Sequence, residues 1–248
     1  MKPIVFIDPG HSDIDPGAVG FETEFRLNEA VSKYQHDYLK AHYDCQPFVC
    51  PSNIDSLGEI CRMANQMGAA LFVSNHFNAG KGDGFECYVY SEKRRSLGQI
   101  FEKHAKAAGQ NSRGVKVKGY YVLANTNMPA VLTETAFVDN KTDIQDWNDD
   151  AELQKMGIAY AKAAAEFLGL KEIEPVPEPR DVSPVEMQTL SVGSEGKQVQ
   201  VLQKLLGISD DGIFGKQTDA AVKKFQGENG LTPDGVVGQL TWNQLLGV

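Results

Sequence analysis

Apolar residues in the first 170 positions fall into two alternating rhythms. Short continuous runs such as Pro3-Ile-Val-Phe-Ile-Asp-Pro-Gly-His11 and Ala69-Ala-Leu-Phe-Val-Ser-Asn-His76 read as buried strands. Between them the spacing becomes helical: Leu27, Ala30, Val31, Tyr34, Tyr38 and Leu39 share one face, and so do Met156, Ala159, Tyr160, Ala163 and Phe167. Further strands are expected over residues 47–50, 85–90, 120–123 and 129–138, and further helices through Ile60, Met63 and Ala64 and over 97–108. Strands alternating with helices of this length predict an α/β fold, a twisted and mostly parallel sheet with helices on both faces.

The rhythm stops at Lys171. Glu172-Ile-Glu-Pro-Val-Pro-Glu-Pro179 is acidic, proline-rich and aperiodic, which predicts an extended, semi-rigid spacer. Beyond it come three short helical faces: Val199, Leu202, Leu205 and Leu206; Ala221, Val222 and Phe225; Leu240, Trp242 and Leu245 or Leu246. Between them D-G-x-x-G-x-x-T occurs twice, from Asp211 to Thr218 and from Asp234 to Thr241. Asp-Gly favours a tight turn with positive φ, and the residues after it open a helix. The expected organisation is a first domain over 1–170, a linker over 171–189 and a small three-helix domain over 190–248.

Charge and composition narrow the function. A net charge of −9 with no dense Lys/Arg stripe argues against a nucleic-acid partner. No run approaches the roughly 20 apolar residues that span a bilayer, so no membrane insertion is expected. Met1-Lys2-Pro3 leads straight into the first strand, without the charged and apolar regions of a signal peptide, so synthesis in the cytoplasm is expected. Cys45, Cys50, Cys61 and Cys87 form no C-x-x-C pair and read as buried or free thiols rather than a zinc knuckle.

The chemistry collects at strand ends. His11 and His76 each follow an apolar run, and the C-terminal edge of a parallel sheet is where ligands gather. Catalytic zinc takes three protein ligands and leaves one position open. The two histidines supply two, and Glu22 or Glu24, at the start of the first helix, supplies the third; spacing alone does not choose. Asp8 and Asn78 are candidates to orient the imidazoles. Glu134 stands inside Ala-Val-Leu-Thr-Glu-Thr-Ala-Phe-Val, where a carboxylate is costly unless paired or functional. His36, His42 and His104 sit among charged residues on solvated helix faces. No EF-hand loop, phosphate-cradling loop or G-x-S-x-G elbow occurs.

Five blocks together resemble a family. Asp8-Pro-Gly-His11 with Asp15-Pro-Gly-Ala-Val-Gly20, Glu24-Phe-Arg-Leu-Asn28, Arg62-Met-Ala-Asn65, Ser74-Asn-His76-Phe-Asn-Ala79 and Pro129-Ala-Val-Leu-Thr-Glu134-Thr-Ala-Phe-Val-Asp-Asn140 stand in the order found in zinc-dependent N-acetylmuramoyl-L-alanine amidases. The resemblance implies a Zn2+ cofactor held by His11, Glu24 and His76, with Glu134 as the catalytic residue. It selects Glu24 over Glu22, because the family's glutamate ligand stands four residues before an asparagine. Ser12-Asp13 replaces the Gly-Gly of many members, and their Thr-Arg pair before the R-x-x-A-N block is missing, both of which bear on substrate fit. The C-terminal domain resembles a short peptidoglycan-binding domain through Val199-Gln-Val-Leu202-Gln203, Phe225-Gln226 and Thr241-Trp242.

These resemblances imply an enzyme that cuts the amide between N-acetylmuramic acid and L-alanine, with peptidoglycan as partner, acting on the bacterial wall after release from the cell. A wall-binding domain without a signal peptide suggests a phage or prophage endolysin, with a mother-cell lytic enzyme as the other reading. Three alternatives stay open: a wall glycosidase using Glu24 and Glu134 as its carboxylate pair, a zinc peptidase cutting within the stem peptide, and a non-catalytic wall-binding protein.

Overall fold

A computed structural model describes residues 2–12, 14–173, 188–229 and 231–246. The chain divides into two compact units, Met1–Val176 and Pro177–Val248. Most of the expected linker, residues 174–187, lies outside the described residues, as does Asp13.

The first unit is an α/β layer fold. Its elements are β1 (Ile4–Pro9), α1 (Glu24–His42), β2 (Gln46–Val49), α2 (Leu57–Gln66), β3 (Leu71–Asn78), β4 (Phe85–Val89), α3 (Arg95–Ala107), β5 (Ser112–Val117), α4 (Tyr121–Ala124), β6 (Ala130–Phe137), α5 (Lys141–Gln145) and α6 (Asp150–Leu168). The six strands lie in the order β2-β1-β3-β6-β4-β5. β1, β2, β3 and β6 run parallel to one another, β4 pairs antiparallel with β6, and β5 runs parallel to β4. The mostly parallel sheet is therefore as the periodicity predicts, with its two far strands reversed.

Strand alternation divides the interior into two cores. Val5, Ile7, Val73, Val131 and Cys87 face one way, into a core closed by α1, α3 and α6, where Leu27, Val31, Phe101, Met156 and Tyr160 are buried. Phe6, Phe72, Tyr88 and Leu132 face the other way, into a smaller core closed by α2 and α4. On that second face Phe6 packs against Phe48 and Phe72 with ring centroids 5.3 and 5.5 Å apart. The residues that continue its rows toward the strand ends are polar: Asp8 on β1, Ser74 and His76 on β3, Glu134 on β6.

Three expectations need correction. His76 lies inside β3 rather than past its end, because β3 runs on to Asn78 through a register shift against β6. The strand expected at 120–123 is instead the short helix α4, and the strand falls at Ser112–Val117, whose lysine-bearing alternation is that of a polar sheet edge. The strand expected at 85–90 is present as β4, and it is buried on both faces because charged partners neutralise Glu86. In the second unit Leu205 and Leu240 are exposed rather than core-facing.

That second unit contains α7 (Lys197–Leu205), α8 (Lys216–Glu228) and α9 (Gln239–Leu246) around Leu190, Val199, Leu202, Phe214, Val222 and the fully buried Trp242. Its repeat is built by two glutamines. Gln203 Nε2 donates to Asp211 Oδ1, the Ile213 carbonyl and Thr218 Oγ1, and its Oε1 accepts from Gly212 N–H. Gln226 does the same to Asp234, Val236, Thr241 and Gly235. Each D-G-x-x-G-x-x-T turn is thus closed from inside by one buried amide, which is why Gln, Asp and Thr recur together.

Candidate metal centre

Three elements deliver the cluster. β1 and β3 are neighbours in the sheet, so His11, two residues past β1, and His76 meet although they are distant in sequence. Glu24 opens α1, and its carboxylate reaches over the strand ends to accept from the backbone N–H of Ala18 at 2.9 Å and of Phe77 at 3.3 Å. Ligating atoms of His11, Glu24 and His76 lie within 4.8 Å of one another, the one such group of three found among the described residues. Glu22, the other carboxylate left open by spacing, pairs instead with Arg26 at 2.7 Å.

The loop between β1 and α1 is shaped to the cluster. A Cβ on Gly10 would run into the His76 ring, and one on Gly17 into His11 and the Glu24 carboxylate; Gly17 also has φ +68°. His11 itself adopts φ +71°, an unusual backbone for a residue with a Cβ. The fully buried Asn28 of α1 donates to the Gly10 carbonyl at 2.8 Å, and Gly10 N–H donates to the Asn75 carbonyl at 3.0 Å, which holds His11 in that conformation.

Hydrogen bonds select which ring nitrogens face inward. Ser74 Oγ donates to Asp8 Oδ2 at 2.6 Å, so it accepts from His76 Nε2 at 3.1 Å. That gives Nε2 its own acceptor, so Nδ1, 2.9 Å from Glu24 Oε1, carries a second proton in the charged ring and is the nitrogen left free to bind a cation that displaces it. His11 repeats the arrangement, with Nδ1 3.3 Å from Asp15 Oδ2 and Nε2 3.2 Å from Glu24 Oε2. Of the two expected orienting residues, Asp8 acts through Ser74, whereas Asn78 bonds Glu86 and no imidazole.

The electrostatics ask for positive charge. Burial pushes the Glu24 carboxyl up, but hydrogen bonds from His11 and His76 outweigh it and hold it at about 2. The bond to Glu24 raises His11 to about 9 against the effect of burial. Burial opposes charge on His76, yet Glu24, Glu134 and Asp8 together raise its pKa. A carboxylate between two imidazoles is satisfied either by protons on the rings or by a divalent cation. Two nitrogens, one carboxylate and an open side match the donor set of a catalytic zinc site.

A cleft of about 340 Å³ opens over the cluster, lined among others by Glu134, Asp55, Tyr120 and Tyr121. Glu134 is the register partner of His76 on β6. Its Oε2 is buried with no hydrogen-bond partner, and burial lifts its carboxyl to about 7. The family profile described as N-acetylmuramoyl-L-alanine amidase matches residues 5–166 of this sequence.

The chain belongs to the N-acetylmuramoyl-L-alanine amidase family.

A peptidoglycan-binding domain profile matches residues 195–245. Similar proteins include the sporulation-specific N-acetylmuramoyl-L-alanine amidase of Bacillus subtilis, 30% identical over 68% of this chain and 69% of the relative. The endolysin of Bacillus phage SPP1 is 32% identical over 69% of this chain and 68% of the relative. The catalytic domain of the amidase CwlV from Bacillus (Paenibacillus) polymyxa superposes with a TM-score of 0.65 at 25% identity, covering 68% of this chain and 99% of that domain. The amidase is thus a cell-wall hydrolase carrying a peptidoglycan-binding domain.

Sequence reasoning missed several residues of the cleft. Tyr120 and Tyr121 form one wall, and Asn65 holds the segment behind them by bonding the Asn125 carbonyl and the Asn127 N–H. Ser74 carried a usable signal, since residues two apart on a strand share a face. The bond from Ser12 Oγ to Asp55, 2.9 Å long, carried none, because it joins two loops. His36 and His104 pair with Asp37 and Glu166, and His42 stacks on Tyr38 with ring centroids 4.0 Å apart; none joins the cluster. All four cysteines are free and buried.

Proposed function

We propose that the amidase is zinc-dependent, with His11 Nε2, His76 Nδ1 and Glu24 as ligands and Glu134 as the proton-transfer residue. The observation that carries this reading is the pair of imidazoles whose outer nitrogens are occupied by Asp15 and Ser74, leaving both inner nitrogens as donors beside one carboxylate. When bound, zinc supplies polarisation of the scissile carbonyl and activation of water.

Glu134 is suited to hold and pass a proton because nothing else engages its Oε2. It takes the proton of the attacking water and then delivers it to the leaving L-alanine amine, restoring its carboxylate. Asp15 and the Asp8–Ser74 pair keep the two rings in place through the cycle. Glu24 has both oxygens engaged by the histidines and neighbouring backbone, which disfavours the glycosidase pairing of Glu24 with Glu134. The second unit, held by its own core, raises the local concentration of enzyme on an insoluble polymer without taking part in the reaction.

Digestion of purified wall with and without chelator tests bond and metal together. New free L-alanine amino groups, lost on chelation and regained with zinc, are expected; new reducing ends would indicate a glycosidase. Cuts elsewhere in the stem, read by mass analysis, would indicate a peptidase. Glu134→Gln is expected to lose about 100-fold or more in kcat while binding zinc and wall normally. Lysis undiminished in that variant removes Glu134 from the reaction.

A further inference from the structure

Glu86 stands directly across the antiparallel β4–β6 pair from Glu134, so the two carboxylates share one face of the sheet. Their surroundings are opposite. Glu86 is 3% exposed and collects four donors: Arg113 Nε at 2.6 Å, Lys116 Nζ at 2.5 Å, the Tyr88 hydroxyl at 2.6 Å and Asn78 Nδ2 at 3.2 Å. Glu134 Oε2 has no partner.

The cations come from β5, the last strand of the sheet, where basic side chains deter pairing with another chain. Opposed residues of adjacent antiparallel strands have Cβ atoms about 5 Å apart. A cation released from Glu86 therefore needs to move only a few ångströms to reach Glu134. Lys118, just beyond β5, is tethered separately: its Nζ donates to the Tyr120 hydroxyl at 3.0 Å and lies 4.5 Å from the centre of that ring. Arg113, Lys116 and Lys118 are thus each bound to something other than Glu134.

We propose that Glu86 is a positioning residue for the amidase reaction: it sequesters Arg113 and Lys116 and so keeps the Glu134 carboxylate free of an ion pair. A carboxylate locked to an arginine or lysine is a poor proton carrier, because its oxygens are occupied and its protonated form is disfavoured. The arrangement lets the sheet edge stay basic while the neighbouring strand holds a free carboxylate. The inference rests on Glu134 being the proton-transfer residue, and the Glu134→Gln variant tests that premise separately.

The test is a suppressor experiment on the full chain, reading kcat and KM on solubilised wall fragments, with melting temperature and zinc content measured alongside. Glu86→Gln frees both cations and is expected to lower kcat about 10-fold or more, toward the loss expected on removing the acid–base group, with little change in KM. Glu86→Gln/Arg113→Gln/Lys116→Gln removes the captured charges together with the captor and is expected to recover most of that loss. A triple variant as slow as the single one overturns the proposal, since Glu86 would then be needed for itself. An undiminished kcat in folded Glu86→Gln overturns it too. Should Glu86→Gln fail to fold, Glu86→Asp keeps the buried charge and withdraws it by one methylene. It is expected to slow the reaction and to be rescued by Lys116→Gln; absence of rescue refutes the proposal in the same way.

Discussion

Ser74→Ala removes one oxygen on which a buried carboxylate and a half-buried imidazole depend. Ser74 is fully buried and Asp8 is 3% exposed, so water does not replace the lost hydroxyl. Asp8 loses its donor at 2.6 Å, and an unsatisfied buried polar group costs about 1–3 kcal/mol. In a domain of this size that lowers the melting temperature by roughly 2–4 °C per kcal/mol. His76 loses the acceptor at 3.1 Å that keeps the proton on Nε2. Loss of such an outer partner weakens metal binding about 10–100-fold, which corresponds to about 1.4–2.8 kcal/mol. Metal-stripped wild type and variant, titrated with zinc against a coloured competing chelator, measure the second effect; thermal melts of the metal-free forms measure the first. A zinc affinity within about twofold of wild type, below the range expected for an orienting partner, refutes the argument that Ser74 sets the His76 tautomer, even if stability falls.

Three further outcomes are expected. Donors from Lys116, Tyr88 and Arg113 outweigh burial and hold the Glu86 carboxyl at about 2, so its contribution to stability is complete above about pH 4.5 and fades as pH falls toward 2. The stability gap between wild type and Glu86→Gln should therefore narrow on acidification by about 3 kcal/mol, and denaturant melts in which the gap holds constant between pH 7 and 2.5 would contradict the ion-pair account. Gly17→Ala combines a disfavoured positive φ with a clash against His11 and Glu24, so it should abolish tight zinc binding while far-ultraviolet circular dichroism stays native. Gln226→Ala leaves the Asp234–Thr241 turn without its internal brace and should lower the stability of the second unit by about 1–3 kcal/mol; equal wall pull-down and unchanged melting in that variant would show the brace to be dispensable.

Much of the catalytic unit was legible because burial leaves a periodic trace. Continuous apolar runs marked β1, β3 and β6, and the 3.6-residue faces of α1 and α6 were plain. β5 was missed because a sheet edge is only half buried, so Arg113 and Lys116 interrupt the apolar rhythm there. α4 was mistaken for a strand because Tyr121-Val-Leu-Ala124 is too short to display a period. Likewise, the repeat in the second unit announced two equivalent turns but not the glutamines that brace them from the preceding helices.

The sequence by itself determined that two histidines and a late glutamate belong to apolar strand runs, and that one of two acidic residues opens the first helix. It left Glu22 and Glu24 indistinguishable on spacing alone, because both lie within reach of the strand ends. Only the tertiary structure decided between them by geometry: Arg26 engages Glu22, while the start of α1 turns Glu24 onto both imidazoles. It also decided what surrounds Glu134. Strand order and register are long-range properties set by packing of the whole sheet, and they place His76 on one side of that carboxylate and Glu86, with its captured cations, on the other.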